Sequence, residues 1–358
     1  MSELKNLRVF NFRNIEALEI KVNSPLLCLW GDNAQGKTNI LEALYLTSNT
    51  KSFRSGNPSD WIRKGEKTAL VSVDIDDRCG PCTLSYSVDK NGRQFFMGKN
   101  RLSGIKEVIS RLRLISYSPN SHEIILGDDG ERRRFLDRLI YSIHPIHLDN
   151  LVRYNKALKN RNMAIKQNAD YRIWDTLIAE YGSKISHKRN EAVRDVKDYF
   201  RETFNSFFDD KKDLNISYVP SGSLDSSELL KKLAKTSKSD EEQGMTTVGP
   251  HRDKIDIMLD FMDARKTVST GQAKLMAFIF KILKLSFIRR FGHEKPIFLY
   301  DDVNAFLDEK RLLQLIEIIK KENVQIIATA VDNSLFKNLF SDSVQFITVS
   351  KGSVVDGC

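Results

Sequence analysis

Cysteine is scarce in this chain, with four in 358 residues. That number is too small for a disulfide framework at this length. Cys79 and Cys82 enclose Gly-Pro with the spacing of thioredoxin-like redox sites, but the alternating apolar segments on both sides predict two strands with Gly80-Pro81 at the tip of their hairpin. Cys28 and Cys358 are isolated in the sequence, which disfavours a zinc site.

Long apolar runs are also absent. No stretch reaches the roughly 18 consecutive apolar residues that a membrane-spanning helix needs. The segment Met1–Asn6 has no apolar core behind a basic start, so no secretory signal is predicted. We therefore expect a cytoplasmic protein with no membrane partner. Disorder is not expected either, because 41% hydrophobic and 29% charged residues is an ordinary globular composition.

The excess of positive charge is modest, with 56 Lys and Arg against 47 Asp and Glu and a formal net charge of +9. Such an excess is compatible with a polyanionic partner but does not demonstrate one. Charge-rich helical faces are commonly just solvated, so both interpretations stay open. No helix-turn-helix or zinc-finger pattern appears, so base-specific recognition is not expected. The segments richest in Lys and Arg are 51–67, 132–138, 153–166, 184–201 and 231–238.

Proline and glycine almost vanish between residues 131 and 208, where only Pro145 and Gly182 occur. Charge and helical periodicity there predict two long helices, over 146–168 and 172–207. A short basic helix is predicted around Leu229–Lys238.

Strand patterns dominate the two ends of the chain. We therefore predict an α/β fold in which a discontinuous lobe, 1–118 with 245–358, is interrupted by a mainly helical insert over 119–244. No heptad pattern is sustained long enough for an extended coiled coil. Helices are predicted after Gly271 and over 309–322. The predicted strands are Leu7–Phe12, Ala17–Val22, Leu26–Trp30, Leu112–Tyr117, Ile255–Leu259, Ile297–Tyr300, Val324–Thr329 and Val344–Val349, with an antiparallel meander over 68–98.

A phosphate-binding loop is the clearest motif. It fits G-x-x-x-x-G-K-[ST], follows an apolar strand and opens an apolar helix. The glycines let the backbone turn its N–H groups inward, and the helix presents its positive end to phosphate. The lysine neutralises the β- and γ-phosphates, and the threonine hydroxyl ligates Mg²⁺. The loop comprises Gly31, Asp32, Asn33, Ala34, Gln35, Gly36, Lys37 and Thr38.

Two carboxylates, Asp301 and Asp302, end the apolar strand Ile297–Tyr300. Ligands of open α/β sheets collect at the carboxyl ends of strands. One acid there supports Mg²⁺, and a second orients or deprotonates an attacking water. Asp-Asp is also a good helix entry, but the upstream phosphate loop favours the functional interpretation.

A third element, Ser269-Thr270-Gly271-Gln272, precedes a long apolar helix. Ser269 or Thr270 is explained equally well as a helix N-cap. In chain order, however, the phosphate loop, an insert, S-x-G-Q and an acidic strand end form the arrangement of ABC-type ATPase heads. In those proteins the S-x-G-Q element binds the γ-phosphate of ATP held by a second subunit.

The sequence resembles the RecF family, which is related to the heads of SMC proteins, over nearly its whole length. The strings that match are Asn11–Asn14, Gly31–Ala43, Lys51–Arg54, Arg132–Asp137, Tyr154–Asn162 and Val248–Asp253. The sequence departs from the family pattern at Ala34, Ser118–Ser121, Ala273-Lys274 and Ala305–Asp308. These changes leave the triphosphate ligands in place, but they make this a divergent member.

The resemblance implies a role for each matching residue. Asp301 supports Mg²⁺ together with Thr38. Asp302 aligns with the catalytic carboxylate of the ABC-type heads, and Lys37, the other catalytic residue, holds the phosphates. Asp308 lies in a loop that crosses to the partner. For His251 to Asp253, a structural role and a role in the site are equally compatible with the sequence. Four arginines are expected at DNA and one at nucleotide phosphate: Arg54, Arg132, Arg133 and Arg134 for DNA, and Arg13 for the nucleotide. Ser269, Gly271 and Gln272 act in trans.

The function implied by this resemblance is an ATP-dependent DNA clamp of recombinational repair. ATP and Mg²⁺ are the expected cofactors, and a slow, DNA-stimulated ATPase activity is expected. The expected partners are DNA junctions contacted through the backbone, a second copy in an ATP-dependent homodimer, and RecO- and RecR-type proteins that help load recombinase at single-strand gaps. Two alternatives remain: the head of another SMC-like defence or nuclease-coupled system, and a nucleotide-gated scaffold with little hydrolysis.

Overall fold

The computed structural model describes residues 3–49, 52–54, 57–109, 111–207, 212–292, 295–302, 317, 323–334, 337 and 344–355. The chain divides into two compact units. The first unit comprises 1–121 and 284–358, and the second comprises 122–283. Within the described residues, no helix is long and apolar enough to cross a membrane.

An antiparallel sheet of six strands, in the order β2-β1-β4-β5-β6-β7, forms one part of the first unit. In its first strand, successive side chains point to opposite faces of the sheet, and Leu7 and Val9 face the core. A register irregularity between Leu4 and Asn6 brings Leu4 to the buried face as well. The strands are β1 (Glu3–Phe12), β2 (Ile15–Lys21), β4 (Thr68–Asp77), β5 (Gly80–Asp89), β6 (Gly92–Met97) and β7 (Asn100–Arg101).

The second sheet of the first unit has six strands in the order β15-β14-β3-β13-β12-β8. The five strands from β14 to β8 pair in parallel, and β15 pairs antiparallel with β14 at one edge. Its central strands are continuous apolar runs, as expected of strands buried on both faces. The strands are β3 (Leu26–Trp30), β8 (Leu114–Tyr117), β12 (Ile297–Tyr300), β13 (Ile326–Ala330), β14 (Val344–Ser350) and β15 (Ser353–Val355). Helices α1 (Lys37–Leu46) and α2 (Ile105–Ile109) belong to this unit.

The second unit is mainly helical and contains one three-stranded sheet, in the order β11-β10-β9. The helices are α3 (Glu123–Leu126), α4 (Asp129–Tyr141), α5 (Ile146–Lys166), α6 (Asp175–Ser206), α7 (Ser226–Lys235), α8 (Ser237–Gln243) and α9 (Ala264–Thr267). The strands are β9 (Leu214–Val219), β10 (Lys254–Leu259) and β11 (Met262–Asp263). A core of apolar side chains joins α5, α6 and α7, including Tyr154, Ile178, Ile185, Leu229 and Leu233. Helix α10 (Thr270–Gly292) runs across the boundary at residue 283.

The unit limits differ from the predicted lobes, because residues 245–283 group with 122–244. The cause is β9, which the sequence analysis did not predict. It pairs antiparallel with β10 from Leu214 opposite Leu259 to Val219 opposite Lys254. These hydrogen bonds tie the segment after residue 244 to the residues before it.

Most predicted elements are confirmed within a few residues. The long helices appear as α5 and α6, and the meander as β4, β5 and β6. The predicted hairpin is confirmed, but Asp77 pairs with Gly80, so its tip is at Arg78 and Cys79, and the Gly-Pro pair lies in β5. The single basic helix is instead two helices, α7 and α8. The changed segment 305–308, with Asp308, and the predicted helix 309–322 apart from residue 317 lie outside the described residues.

Candidate nucleotide-binding site

The phosphate loop begins where β3 ends and leads directly into α1. Gly31 and Gly36 both have positive φ, +143° and +108°, which side chains rarely tolerate. Space is limiting as well: a Cβ at Gly31 would lie 2.5 Å from the carbonyl oxygen of Val349, and one at Gly36 would lie 2.8 Å from Nδ2 of Asn14. Both glycines are therefore required by backbone conformation, and Gly31 is also required by packing because its close neighbour is a backbone atom.

The turn between β14 and β15 holds the loop through Gln35. Its carbonyl oxygen accepts a hydrogen bond from the N–H of Gly352 at 2.8 Å. Its Oε1 accepts another from the N–H of Lys351 at 2.7 Å. Asp32, Asn33 and Ala34, in contrast, are exposed. The loop is thus fixed at one side and open at its tip.

Lys37 lies inside the loop that precedes it. Its ammonium donates to the carbonyl oxygens of Gly31 at 2.5 Å and Asp32 at 2.7 Å. Burial lowers the pKa of Lys37, whereas the carboxylates of Asp302 and Asp301 act in the opposite direction. This ammonium is the positive charge that the motif requires, and within the described residues its hydrogen bonds go to these two backbone carbonyls.

Thr38 and Asp301 meet at the carboxyl edge of the parallel sheet. Thr38 Oγ1 donates to Asp301 Oδ1 at 2.8 Å, and Thr329 Oγ1 donates to the same oxygen at 2.9 Å. Strand β13 lies between β3 and β12, so Thr329 stands between the other two residues. Burial raises the pKa of Asp301, and the hydrogen bonds from Thr38 and Thr329 oppose that shift.

Asp302 follows in a left-handed conformation, with φ of 58°. Its N–H donates to Thr329 Oγ1 at 2.8 Å, so one hydroxyl positions both acidic residues. Asp302 is half-buried, whereas Asp301 is buried. The second carboxylate is therefore reachable by water beside the first.

A buried carboxylate in α1, Glu42, organises the predicted arginines of this unit. Arg13 Nε and Nη2 donate to its two oxygens at 3.0 and 2.8 Å, and Ser52 Oγ donates at 2.6 Å. Arg54 Nη1 lies 3.6 Å from the same group and donates to Asn39 Oδ1 at 2.8 Å. We call Glu42, Arg13, Ser52 and Arg54 the Glu42 cluster.

Ser269 and Gln272 form a capping box at the start of α10. Gln272 N–H donates to Ser269 Oγ at 3.2 Å, and Ser269 N–H donates to Gln272 Oε1 at 2.9 Å. Ser269, Thr270 and Gly271 are exposed. Ser269 is therefore the N-cap of α10, as one of the two interpretations predicted. The same residues also lie on the exposed surface of the second unit.

The three arginines of α4 differ in their availability. Arg132 is 2% exposed and donates to the carbonyl oxygens of Ile255 and Ile125 at 2.9 and 2.8 Å. Arg133 donates to the carbonyl oxygen of Asp253 at 2.6 Å. Arg134 is more exposed and pairs with Glu131. In this conformation Arg132 is a packing residue of the second unit and is not accessible to a phosphate.

His251 and Asp253 are part of the second unit's polar core. The carbonyl oxygen of Thr246 only accepts, so His251 Nε2 carries the proton in their 2.9 Å contact, and Nδ1 accepts from Tyr154 at 2.7 Å. Burial lowers the pKa of His251, which favours this neutral form. Asp253 is fully buried and accepts from Arg189 at 3.0 Å. These contacts explain both residues structurally.

Thr329 and Glu42 are site residues that sequence reasoning missed. Thr329 lies in a predicted strand but outside any motif, and only its place beside β12 brings it to Asp301. Glu42 lies in the helix that follows the phosphate loop. A single acidic residue among the apolar residues of that helix was the sequence feature that could have identified it. Among the described residues no group of three or more metal-ligating side chains occurs.

The chain is similar to known proteins over nearly its whole length. Residues 3–354 match the model of the RecF/RecN/SMC N terminal domain family. The DNA replication and repair protein RecF of Agathobacter rectalis is 31% identical over 362 residues, covering 99% of both chains.

Solved structures extend the similarity to the fold. A structure described as the recombination mediator protein RecF-ATP in the RecFOR pathway matches with a TM-score of 0.90 and 27% identity, covering 100% of this chain and 98% of that one. The Smc head domain of Pyrococcus furiosus matches with a TM-score of 0.57 and 16% identity, covering 99% and 96%. The predicted fold class, an ABC-type head with a mainly helical second part, is confirmed. The chain belongs to the RecF family.

Proposed function

We propose that this chain binds ATP with Mg²⁺ and acts as an ATP-dependent DNA clamp in replication and repair. The observation that supports this most directly is the 2.8 Å hydrogen bond between Thr38 and Asp301. It joins the end of the phosphate loop to the acidic strand end, two elements that are 263 residues apart in the sequence. The similar solved structure described as RecF-ATP supports ATP as the nucleotide.

The residues at this edge of the sheet fit Mg²⁺. They supply one hydroxyl and one carboxylate, the hard oxygen donors that this ion prefers, and Mg²⁺ usually keeps its other positions for water and substrate phosphate. Burial raises the pKa of Asp301, and a divalent cation stabilises a buried carboxylate in its charged form. When bound, the ion would be held by Thr38 and Asp301 and would neutralise charge on the phosphates.

The remaining steps belong to side chains of the chain itself. Lys37 exchanges its backbone carbonyl partners for phosphate oxygens. Asp302, half-buried and fixed through Thr329, accepts the proton of the water that attacks the γ-phosphate. The products are ADP and inorganic phosphate. We expect slow turnover that DNA stimulates.

Ser269, Gly271 and Gln272 act on the nucleotide of a second copy. Their exposure at the N-terminus of α10 supports this role, because N–H groups and a hydroxyl there are suited to phosphate. One ATP then contacts two chains and closes a homodimer, and hydrolysis reopens it. The relatives are named as DNA replication and repair proteins and as a recombination mediator in the RecFOR pathway, which supports DNA and RecO- and RecR-type partners at single-strand gaps.

Sedimentation with and without ATP-Mg²⁺ tests the clamp, together with ATP turnover in the presence and absence of DNA. We expect ATP to double the mass of the wild-type chain and Lys37→Ala to abolish both the dimer and turnover. Lys99→Ala, an exposed lysine in the same unit, is the matched control. An unchanged wild-type mass at micromolar protein contradicts the clamp. A dimer with background turnover supports the scaffold alternative instead.

A further inference from the structure

A groove in the first unit lies apart from the nucleotide site. It has a volume of ≈ 890 Å³ and runs between the segment 58–68 and the turn that joins β5 to β6. Both sides expose backbone: Gly65 and Gly92 have positive φ, and nothing lies within 4 Å of a Cβ built at either. Ile62 and Pro58 are the apolar members of its lining. The groove is therefore open and lined mainly by residues with charged or polar side chains, unlike the enclosed apolar pockets that bind small molecules.

Four basic residues line this groove: Arg63, Lys64, Lys67 and Lys90. Arg63 is paired with Glu16 at 2.9 Å. The three lysines are exposed and have neither a hydrogen bond nor an ion pair within the described part of the chain.

Other basic side chains of the same unit do find acidic partners. Arg8 pairs with Asp74 at 2.7 Å, and Arg13 pairs with Glu42 at 2.8 Å. The two carboxylates that line the groove, Glu66 and Asp89, do not pair with the lysines, although Asp89 Oδ1 accepts from the N–H of Asn91 at 2.7 Å. The lining thus holds four basic residues against two carboxylates, and this excess of positive charge along one open groove favours an extended anion.

We infer that this groove binds the phosphate backbone of DNA. Lysines are point charges that neutralise phosphates without reading bases. The hydroxyl and amide groups of Ser59, Thr68 and Asn91 on the same lining add donors of the kind that fix a sugar-phosphate backbone in register. This inference rests on the proposed function, and it places DNA contact at residues other than Arg132 to Arg134.

The test is the salt dependence of DNA binding by the full chain with ATP-Mg²⁺, measured by fluorescence anisotropy between about 50 and about 200 mM salt. The groove variant is Lys64→Ala/Lys67→Ala/Lys90→Ala. The control variant, Lys21→Ala/Lys99→Ala/Arg101→Ala, removes the same charge from exposed positions of the same unit outside the groove. ATP affinity, measured in parallel, shows that each variant is folded.

We expect the slope of log K against log salt to become shallower by about 2 to 3 in the groove variant, since each phosphate contact contributes about 0.9. The loss of affinity should be equal for two unrelated duplex sequences, because backbone contacts are blind to sequence. A groove variant with the slope of the control overturns the assignment while leaving the proposed function intact. Wild-type protein that binds no DNA at low salt refutes the proposed function itself.

Discussion

Arg13 and Glu42 form a bidentate ion pair, with contacts of 3.0 and 2.8 Å, in which the carboxylate is completely buried and the guanidinium is partly exposed. Glu42 lies in the helix that opens at the phosphate loop, and Arg13 follows β1 with a positive φ of 54°. The pair therefore joins the end of β1 to the helix that follows the phosphate loop. Removing one partner of such a buried ion pair lowers the free energy of unfolding, because the other charge is left without its partner.

Glu42→Gln should lower the free energy of unfolding by about 2 kcal/mol, because the Arg13 charge loses its counter-charge and one strong acceptor becomes an amide donor. Urea denaturation measures the change. Glu16→Gln is the control: it breaks the Arg63 pair with a more exposed carboxylate and should leave stability within error. Equal losses for both variants contradict a special role for the Glu42 cluster.

Thr329→Val should weaken Mg²⁺ in the ATP complex about 10-fold, since the hydroxyl that orients Asp301 and accepts from the N–H of Asp302 is removed. Thr329→Ser retains the hydroxyl and should restore wild-type behaviour. Titration of Mg²⁺ at fixed ATP, followed by nucleotide fluorescence, measures the effect. If the valine variant binds Mg²⁺ like wild type, Thr329 does not position the acid.

Ser269→Asp separates helix capping from the proposed role in trans. Aspartate is as good an N-cap as serine, so the helix and the thermal stability should be preserved. Its charge would oppose the γ-phosphate, so ATP-dependent dimerisation should be lost. Ser269→Thr keeps an uncharged hydroxyl and should still dimerise. Sedimentation with ATP gives the result, and a dimeric aspartate variant rules out phosphate contact by Ser269.

Asp137 predicts an acid sensitivity of the second unit. Burial alone would raise its pKa, but the charge of Arg189 and the hydrogen bond from His147 outweigh burial and lower the pKa to about 2. A depressed carboxyl pKa stabilises the fold above the unfolded value, near 3.8, and that stability is lost as the pH falls towards 2.

Asp137→Asn should therefore destabilise the protein at pH near 6, and its deficit should shrink by about 2 kcal/mol at a pH near 2.5, where the wild-type carboxyl also begins to protonate. Urea unfolding at both pH values measures the two deficits. Asp195→Asn, at an exposed position of α6, should show no such dependence. A deficit for Asp137→Asn that does not change with pH contradicts the depressed pKa.

The sequence predicted the structural elements well, because each depends on neighbouring residues. The glycine spacing at Gly31 and Gly36 sets a local backbone path, and the apolar runs of the parallel sheet identify buried strands without knowledge of their partners. The strand β9 was missed since its polar surroundings hide the short alternation of Leu214 and Ile216. That omission also moved the predicted end of the helical insert away from the observed boundary at residue 283.

Consecutive residues thus determined the phosphate loop, the acidic strand end and the membership of a family. Only the tertiary structure decided which side chains meet: Thr329 at Asp301, Arg13 at Glu42, and Arg132 buried rather than exposed. The physical reason is that a motif encodes backbone conformation through local torsions and spacing. Burial and ion-pair partners, in contrast, depend on strand order and on the competition of every charge for the nearest compatible group.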